Sequence, residues 1–166
     1  VTLLGLILAG VAAYLIAISE LMWAGVVLGI SGSLDSIDGT LARMSGAASS
    51  TGALLDSVVD RLAEGIVLLG VLILALDTND TTLATLVYIA FAGSMLVSYV
   101  AARSQSLGAQ QMVGIMTRPE RVIVLTVGLL VGYLTIAIWI IAILTPLTAL
   151  HRFVHSWIEL KKGSKP

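Results

Sequence analysis

The stretch Asp35-Ser36-Ile37-Asp38-Gly39-Thr40-Leu41-Ala42-Arg43 and, eight residues later, Gly52-Ala53-Leu54-Leu55-Asp56-Ser57-Val58-Val59-Asp60 set four carboxylates into otherwise apolar sequence. On helices turning about 100° per residue, Asp35 and Asp38 lie about 60° apart on one face, and Asp56 and Asp60 about 40° apart. The small, polar run Ser45-Gly46-Ala47-Ala48-Ser49-Ser50-Thr51 between them reads as the turn of a helical hairpin. Folding that hairpin brings the two acidic pairs together. Four like charges cannot share an apolar setting unneutralised, and hard oxygen ligands around divalent cations resolve the conflict.

Outward from this hairpin the composition is that of a membrane protein. Hydrophobic residues make up 58% of the 166 and charged residues only 11%, with a mean hydropathy of +1.04. A soluble domain carries about 25% charged residues. With no cysteine there is no disulfide framework and no thiolate metal site or nucleophile. The net charge of −1 singles out no partner, and none among nucleic acids is expected. The chain opens at Val1 inside an apolar run, without an initiator Met or a charged flank, so the pattern is not that of a signal peptide and a preceding segment is expected.

Apolar runs of about 20 residues are long enough to cross the hydrocarbon layer. Six are expected: residues 1–17, about 22–43, about 51–76, 83 to about 103, a fifth opened by Pro119 and ending near Gly132-Tyr133, and about 134–160, kinked at Pro146. The fold class is therefore an all-α integral-membrane bundle of six transmembrane helices, one domain over 1–166. With six spans, Arg43, Arg61, Arg103, Arg118, Arg121, Arg152, Lys161, Lys162 and Lys165 fall on or near one side. The opposite loops hold Glu20, Asp77 and Asp80 and no basic residue. By the positive-inside rule the basic side, with both termini and the four aspartates, is cytoplasmic.

The residues admit bland and sharp readings. Each aspartate could pair with an arginine, Arg43 and Arg61 being near, but two arginines cannot neutralise four acids. Metal binding makes Asp35, Asp38 and Asp56 ligands of one or two divalent ions, and a two-metal site suits displacement at phosphorus. Asp60, one turn further, could be both ligand and base. Gly39, Ala42 and Gly52 suit close helix packing, or equally the close approach of a flat ligand. Arg43 suits a phosphate, or Asp35. Glu64, about 80° round the helix from Asp56, reads as a structural hydrogen-bond partner. Arg103, Arg118, Arg121 and Arg152 come from three helix ends on the same side. They could serve topology alone or hold a phosphate-bearing substrate. His151 and His155 have no partners at ligand spacing and read as interfacial.

The spacing D-x2-D-G-x2-A-R-x8-G-x3-D-x3-D resembles the signature of the CDP-alcohol phosphotransferases (the CDP-alcohol phosphatidyltransferase family) at Asp35, Asp38, Gly39, Ala42, Arg43, Gly52, Asp56 and Asp60. A chance match in one window lies below about 10⁻⁸. The resemblance implies a transferase of phospholipid biosynthesis that displaces CMP from a CDP-alcohol such as CDP-diacylglycerol or CDP-archaeol. It implies Mg²⁺ or Mn²⁺, two per site, on the four aspartates, with Asp60 as general base and cytidine nucleotide against Gly39, Ala42, Arg43 and Gly52. An Arg-Pro-Glu-Arg element opening the fifth helix, here Arg118 to Arg121, and an arginine near the end of the sixth, here Arg152, resemble the members that make phosphatidylinositol phosphate. A phosphorylated polyol acceptor, inositol 1-phosphate, follows, held by Arg103, Arg118, Arg121 and Arg152. Those members carry a lysine where this chain has Ala101. The other acceptor reading is synthesis of di-myo-inositol phosphate phosphate from CDP-inositol. A small cation transporter, from another class, would need acids along a path to the far side, whereas these four stop at one depth. The family also implies a homodimer and an amphipathic helix before the first span.

Overall fold

The chain, seen in a computed structural model, is described over residues 2–45, 50–110 and 114–163, without the side chains of residues 2 and 35–45. It forms six helices: α1 (Thr2–Ala17), α2 (Leu21–Ser45), α3 (Ser50–Asp77), α4 (Thr81–Ser106), α5 (Arg118–Leu130) and α6 (Leu134–Gly163). Their ends lie within a few residues of the expected spans. The hairpin turn expected near 45–51 falls largely on residues 46–49, which lie outside the described residues. Helix α6 runs unbroken through Pro146.

Four of the helices end in the same way. Ser19, Asn79, Gly108 and Gly132 all adopt positive φ. Behind each, the next residue's N–H reaches back five residues, as in Glu20 N to Leu15 O (2.8 Å), Asp80 N to Ala75 O (2.8 Å) and Tyr133 N to Gly128 O (2.8 Å). This Schellman closure satisfies carbonyls that the helix leaves without partners. Asp80 then caps α4, accepting from the Leu83 N–H at 2.9 Å. Capped three-residue turns after α1, α3 and α5 are what stack those helices beside the next.

The helices close a ring. Each packs against two neighbours, in the order α1, α3, α4, α6, α5, α2 and back to α1. The core is made of small and branched residues such as Ala12, Ile16, Ala24, Val71 and Ile138. Gly70 sets the α1–α3 distance: a Cβ there would lie 2.5 Å from the Ala13 carbonyl oxygen, so only glycine allows this backbone approach. Helices α3 and α5 are not neighbours in the ring. They face one another across its interior.

The six-span expectation meets a limit in length and polarity. Among the described residues, two helices are long and apolar enough to cross a membrane, Thr81–Ser106 and Leu134–Lys162, while Leu3–Ala17 and Leu21–Leu34 are shorter apolar helices. Helix α5 has 13 residues, about 20 Å at 1.5 Å per residue. Helix α3 is long, but Asp56, Asp60, Arg61 and Glu64 lie between its start and its middle turn.

Candidate active site

Asp56 and Asp60 lie one turn apart on α3, just inside its start. Asp56 is exposed, and Asp60 lines a cavity of about 440 Å³. One wall of that cavity carries the charged Asp60, Glu64, Arg118 and Arg121; the rest is mainly apolar, with Leu4, Leu28 and Val122 among its lining beside Ser31, Ser33 and Thr126. It is an amphiphilic chamber enclosed by α1, α2, α3 and α5.

Two ion pairs cross it. The first is Asp60 with Arg118, Nη1 to Oδ2 at 2.8 Å, the side chains 15% and 28% exposed. The second is Glu64 with Arg121. Arg121 Nε donates to Glu64 Oε1 (2.6 Å) and Nη2 to Oε2 (2.9 Å), while Nη1 donates to the Met116 carbonyl (3.0 Å). This fork-on-carboxylate pairing is the geometry arginine favours. The expectation that Glu64 is a hydrogen-bond partner is met in a stronger form, as a buried charge pair. Arg61, close enough in sequence to serve an aspartate, donates to the Ser57 carbonyl of its own helix (3.0 Å) and lies 4.0 Å from Asp60. The nearer cation on Asp60 is Arg118, from a helix whose start is brought over α3 only by the ring.

Pro119 stands in the first turn of α5, where its missing N–H has no partner to lose. Thr117, at the N-cap, turns its hydroxyl to Glu120 rather than to the helix backbone. Arg152, on α6, is buried; its Nη1 donates to the Val97 carbonyl of α4 (3.3 Å), and its Nε has no hydrogen-bond partner among the described residues. Gly114 leaves room for it, since a Cβ there would lie 2.8 Å from that Nε. A buried, unsatisfied guanidinium N–H suits an anionic ligand. Arg103 is exposed and turns to its own helix end, 3.5 Å from the Ser106 hydroxyl. His151 and His155 are exposed.

Asp35, Asp38, Gly39, Ala42 and Arg43 lie on the last turns of α2, and their side chains fall outside the described residues. Gly52 is exposed in the first turn of α3. Among the described residues no group of three metal-ligating side chains is gathered. Asp56 and Asp60 nonetheless offer hard carboxylate oxygens at one-turn spacing, one at the surface and one at the cavity wall, a donor set that fits Mg²⁺ or Mn²⁺. Sequence reasoning missed both cross-cavity pairings, each joining residues more than 50 positions apart. It also missed Gly114, which carries no local signal.

Comparison with known proteins agrees with this arrangement. The CDP-alcohol phosphatidyltransferase family model matches residues 1–154. The archaetidylinositol phosphate synthase of Pyrococcus horikoshii is 32% identical over 98% of this chain and 84% of its own length. Two crystal structures of the Mycobacterium tuberculosis phosphatidylinositol phosphate synthase superpose well. The complex with CDP-DAG gives a TM-score of 0.85 at 28% identity, over 94% of this chain and 84% of the other. The complex with manganese and citrate gives 0.86 at 28% identity, over 95% and 80%.

Proposed function

Because the chain belongs to the CDP-alcohol phosphatidyltransferase family, and is thus a CDP-alcohol phosphotransferase of phospholipid synthesis, we propose that it transfers a lipid phosphate from CDP-diacylglycerol or CDP-archaeol to a hydroxyl of inositol 1-phosphate, releasing CMP. The observation that carries this reading is the chamber wall itself. Asp60, the last residue of the aspartate pattern, stands opposite the Arg118-to-Arg121 element in a cavity otherwise mainly apolar. A reaction between a lipid-linked nucleotide and a phosphorylated polyol needs such a boundary between polar and apolar space.

In this mechanism Asp60 takes the proton of the acceptor hydroxyl. The acceptor oxygen forms the new bond to the phosphorus carrying the lipid, the bond from that phosphorus to CMP breaks, and CMP leaves with the electron pair. Arg118, the remaining donors of Arg121 and the unsatisfied Nε of Arg152 hold the acceptor phosphate, with Arg103 as a further acceptor-side cation. Gly39, Ala42, Arg43 and Gly52 form the nucleotide side. Asp35, Asp38, Asp56 and Asp60 would hold two divalent ions, which supply charge neutralisation of the pyrophosphate and of the departing CMP. The apolar body of the chamber takes lipid.

The same reading puts the bundle in the membrane, with six spans and with the active site and both termini on the cytoplasmic side. It is supported by the exposed Leu3, Ile7, Tyr88, Ile123 and Trp157 on the outside of the ring, an unusual surface for a protein in water. A homodimer belongs to it as well, on family likeness. The deciding experiment is CMP release measured across a panel of CDP-alcohol donors and of phosphorylated and free polyols. Activity confined to an unphosphorylated acceptor, or to CDP-inositol as donor, would replace inositol 1-phosphate.

A further inference from the structure

Helix α5 is short, and its first turn is closed by the Thr117 hydroxyl on the Glu120 carboxylate. It packs on α2 and α6 in the ring, and its N-cap side chain does not bond the helix backbone. Yet this turn carries Arg118, which must sit opposite Asp60. What joins it to α3 is a ladder of two rungs. Asp60 and Glu64 are four residues apart on α3, and Arg118 and Arg121 three apart on α5, so each pair forms one rung on facing helix sides.

The rungs are unequal. Arg118 meets Asp60 at 2.8 Å and is 28% exposed. Arg121 is 4% exposed and has three of its five N–H groups described as engaged, two by Glu64 and one by the Met116 carbonyl in the segment leading into α5. Glu64 is 13% exposed. The inner rung therefore ties α3, α5 and the preceding segment at one point, and it is bidentate, which fixes rotation as well as distance. A buried pair is poor evidence of stabilisation as such, since apolar residues of similar volume often do as well. Its directional content is what an apolar pair could not reproduce.

We infer that Glu64, outside the aspartate pattern, is a positioning residue of the active site: its carboxylate fixes the Arg121 guanidinium and, through it, the rotation of α5 that holds Arg118 across from Asp60. The inference rests on the proposed reaction and adds to it a residue that acts only on the acceptor side. The described partner of Glu64 is Arg121, which the proposed reaction assigns to the acceptor, so its loss is read on that side.

The test is steady-state CMP release by the full chain in detergent, varying inositol 1-phosphate and CDP-lipid separately, with the folded fraction counted by stoichiometric CDP-lipid binding. Glu64→Gln keeps the size and one acceptor oxygen but loses the charge and the second one. It should raise the acceptor KM about tenfold or more while the donor KM changes less than about threefold, as expected for residues coupled by roughly 1.4 kcal/mol or more. Arg121→Gln should do the same, and the double variant should be no worse than the worse single, because both changes cut one linkage. A purely structural Glu64 would lower the folded fraction and leave both KM values alone, which would overturn the inference. Equal shifts in both KM values, or additive effects in the double variant, would overturn it too. If Glu64→Gln leaves Arg121 buried without a counter-charge and does not fold, Glu64→Gln/Arg121→Gln, which buries no lone charge, carries the test, and a wild-type acceptor KM there refutes the proposal. A wild-type protein that binds CDP-lipid yet releases CMP to no acceptor would instead refute the proposed function, and the positioning role with it. An active wild type with an unmoved Glu64 variant refutes the positioning role alone.

Discussion

Replacing Asp60 by Asn separates chemistry from architecture at the catalytic wall. The structural cost is small. Asn keeps an oxygen that can accept from Arg118 Nη1, where Oδ2 now does at 2.8 Å with the arginine 28% exposed. What is lost is the charge attraction across a mostly buried pair, part of which Arg118, the more exposed partner, regains from water. The chemical cost is much larger, because an amide cannot take the acceptor's proton. General base catalysis contributes roughly 10²–10⁴-fold, equivalent to about 2.7–5.4 kcal/mol of activation free energy. The two losses are read by different measurements. Asp60→Asn should melt close to wild type in detergent and still bind CDP-lipid by calorimetry, while CMP release falls by a factor of at least about 100. Retention of more than about a tenth of the wild-type rate would refute the assignment of Asp60 as base.

Chelation with EDTA should abolish transfer and added Mg²⁺ or Mn²⁺ restore it; undiminished turnover by thoroughly metal-free enzyme would contradict a carboxylate site for cations. Arg152→Ala should raise the acceptor KM by about 10- to 150-fold, the worth of a charge-assisted hydrogen bond of roughly 1.5–3 kcal/mol, and leave the donor KM near wild type; a shift in the donor KM alone would assign Arg152 to the nucleotide or the lipid. Ala101→Lys should lower the KM for inositol 1-phosphate if the pocket is short of one charge, and no effect or a rise would turn the acceptor search towards other polyols. Gly70→Ala, which places a methyl group 2.5 Å from the Ala13 oxygen, should cost about 1–3 kcal/mol by overpacking, seen as a lower melting temperature with both KM values unchanged.

The helices were legible because their punctuation is chemical. Polar turns at Ser19-Glu20 and Asp77 to Thr82, Pro119 at a helix start and Gly132 past a helix end mark boundaries that the structure reproduces within a few residues. Their arrangement was not legible. Helix α1 is apolar on every side, so periodicity names no face for burial. The ring order depends on contacts such as Gly70 against Ala13, visible only once the backbones meet. At the site, local spacing exposed Asp56 and Asp60, since both stand on one helix. The arginine over Asp60 could not be chosen from sequence: Arg61 is adjacent, but side-chain direction sends it to Ser57, and Arg118 arrives from 58 residues away.

That pairing also explains why an apolar ring can hold acids at its inner wall at all. An ionised carboxylate taken out of water costs several kcal/mol even after relaxation, unless a counter-charge and hydrogen bonds offset it. Asp60 and Glu64 are 15% and 13% exposed, and each has a guanidinium from α5 within 3 Å. The Arg118-to-Arg121 element therefore has work to do before any acceptor arrives, because it makes the two carboxylates tolerable where catalysis needs one of them. Its spacing follows from that duty. Arginines three apart on α5 meet acids four apart on α3, each helix presenting one turn, and Pro119 fits between them only because that turn is the first. A single lysine could balance one charge but could not fork onto Glu64 and reach the Met116 carbonyl together, so Arg121 is the member of the element that geometry least allows to change.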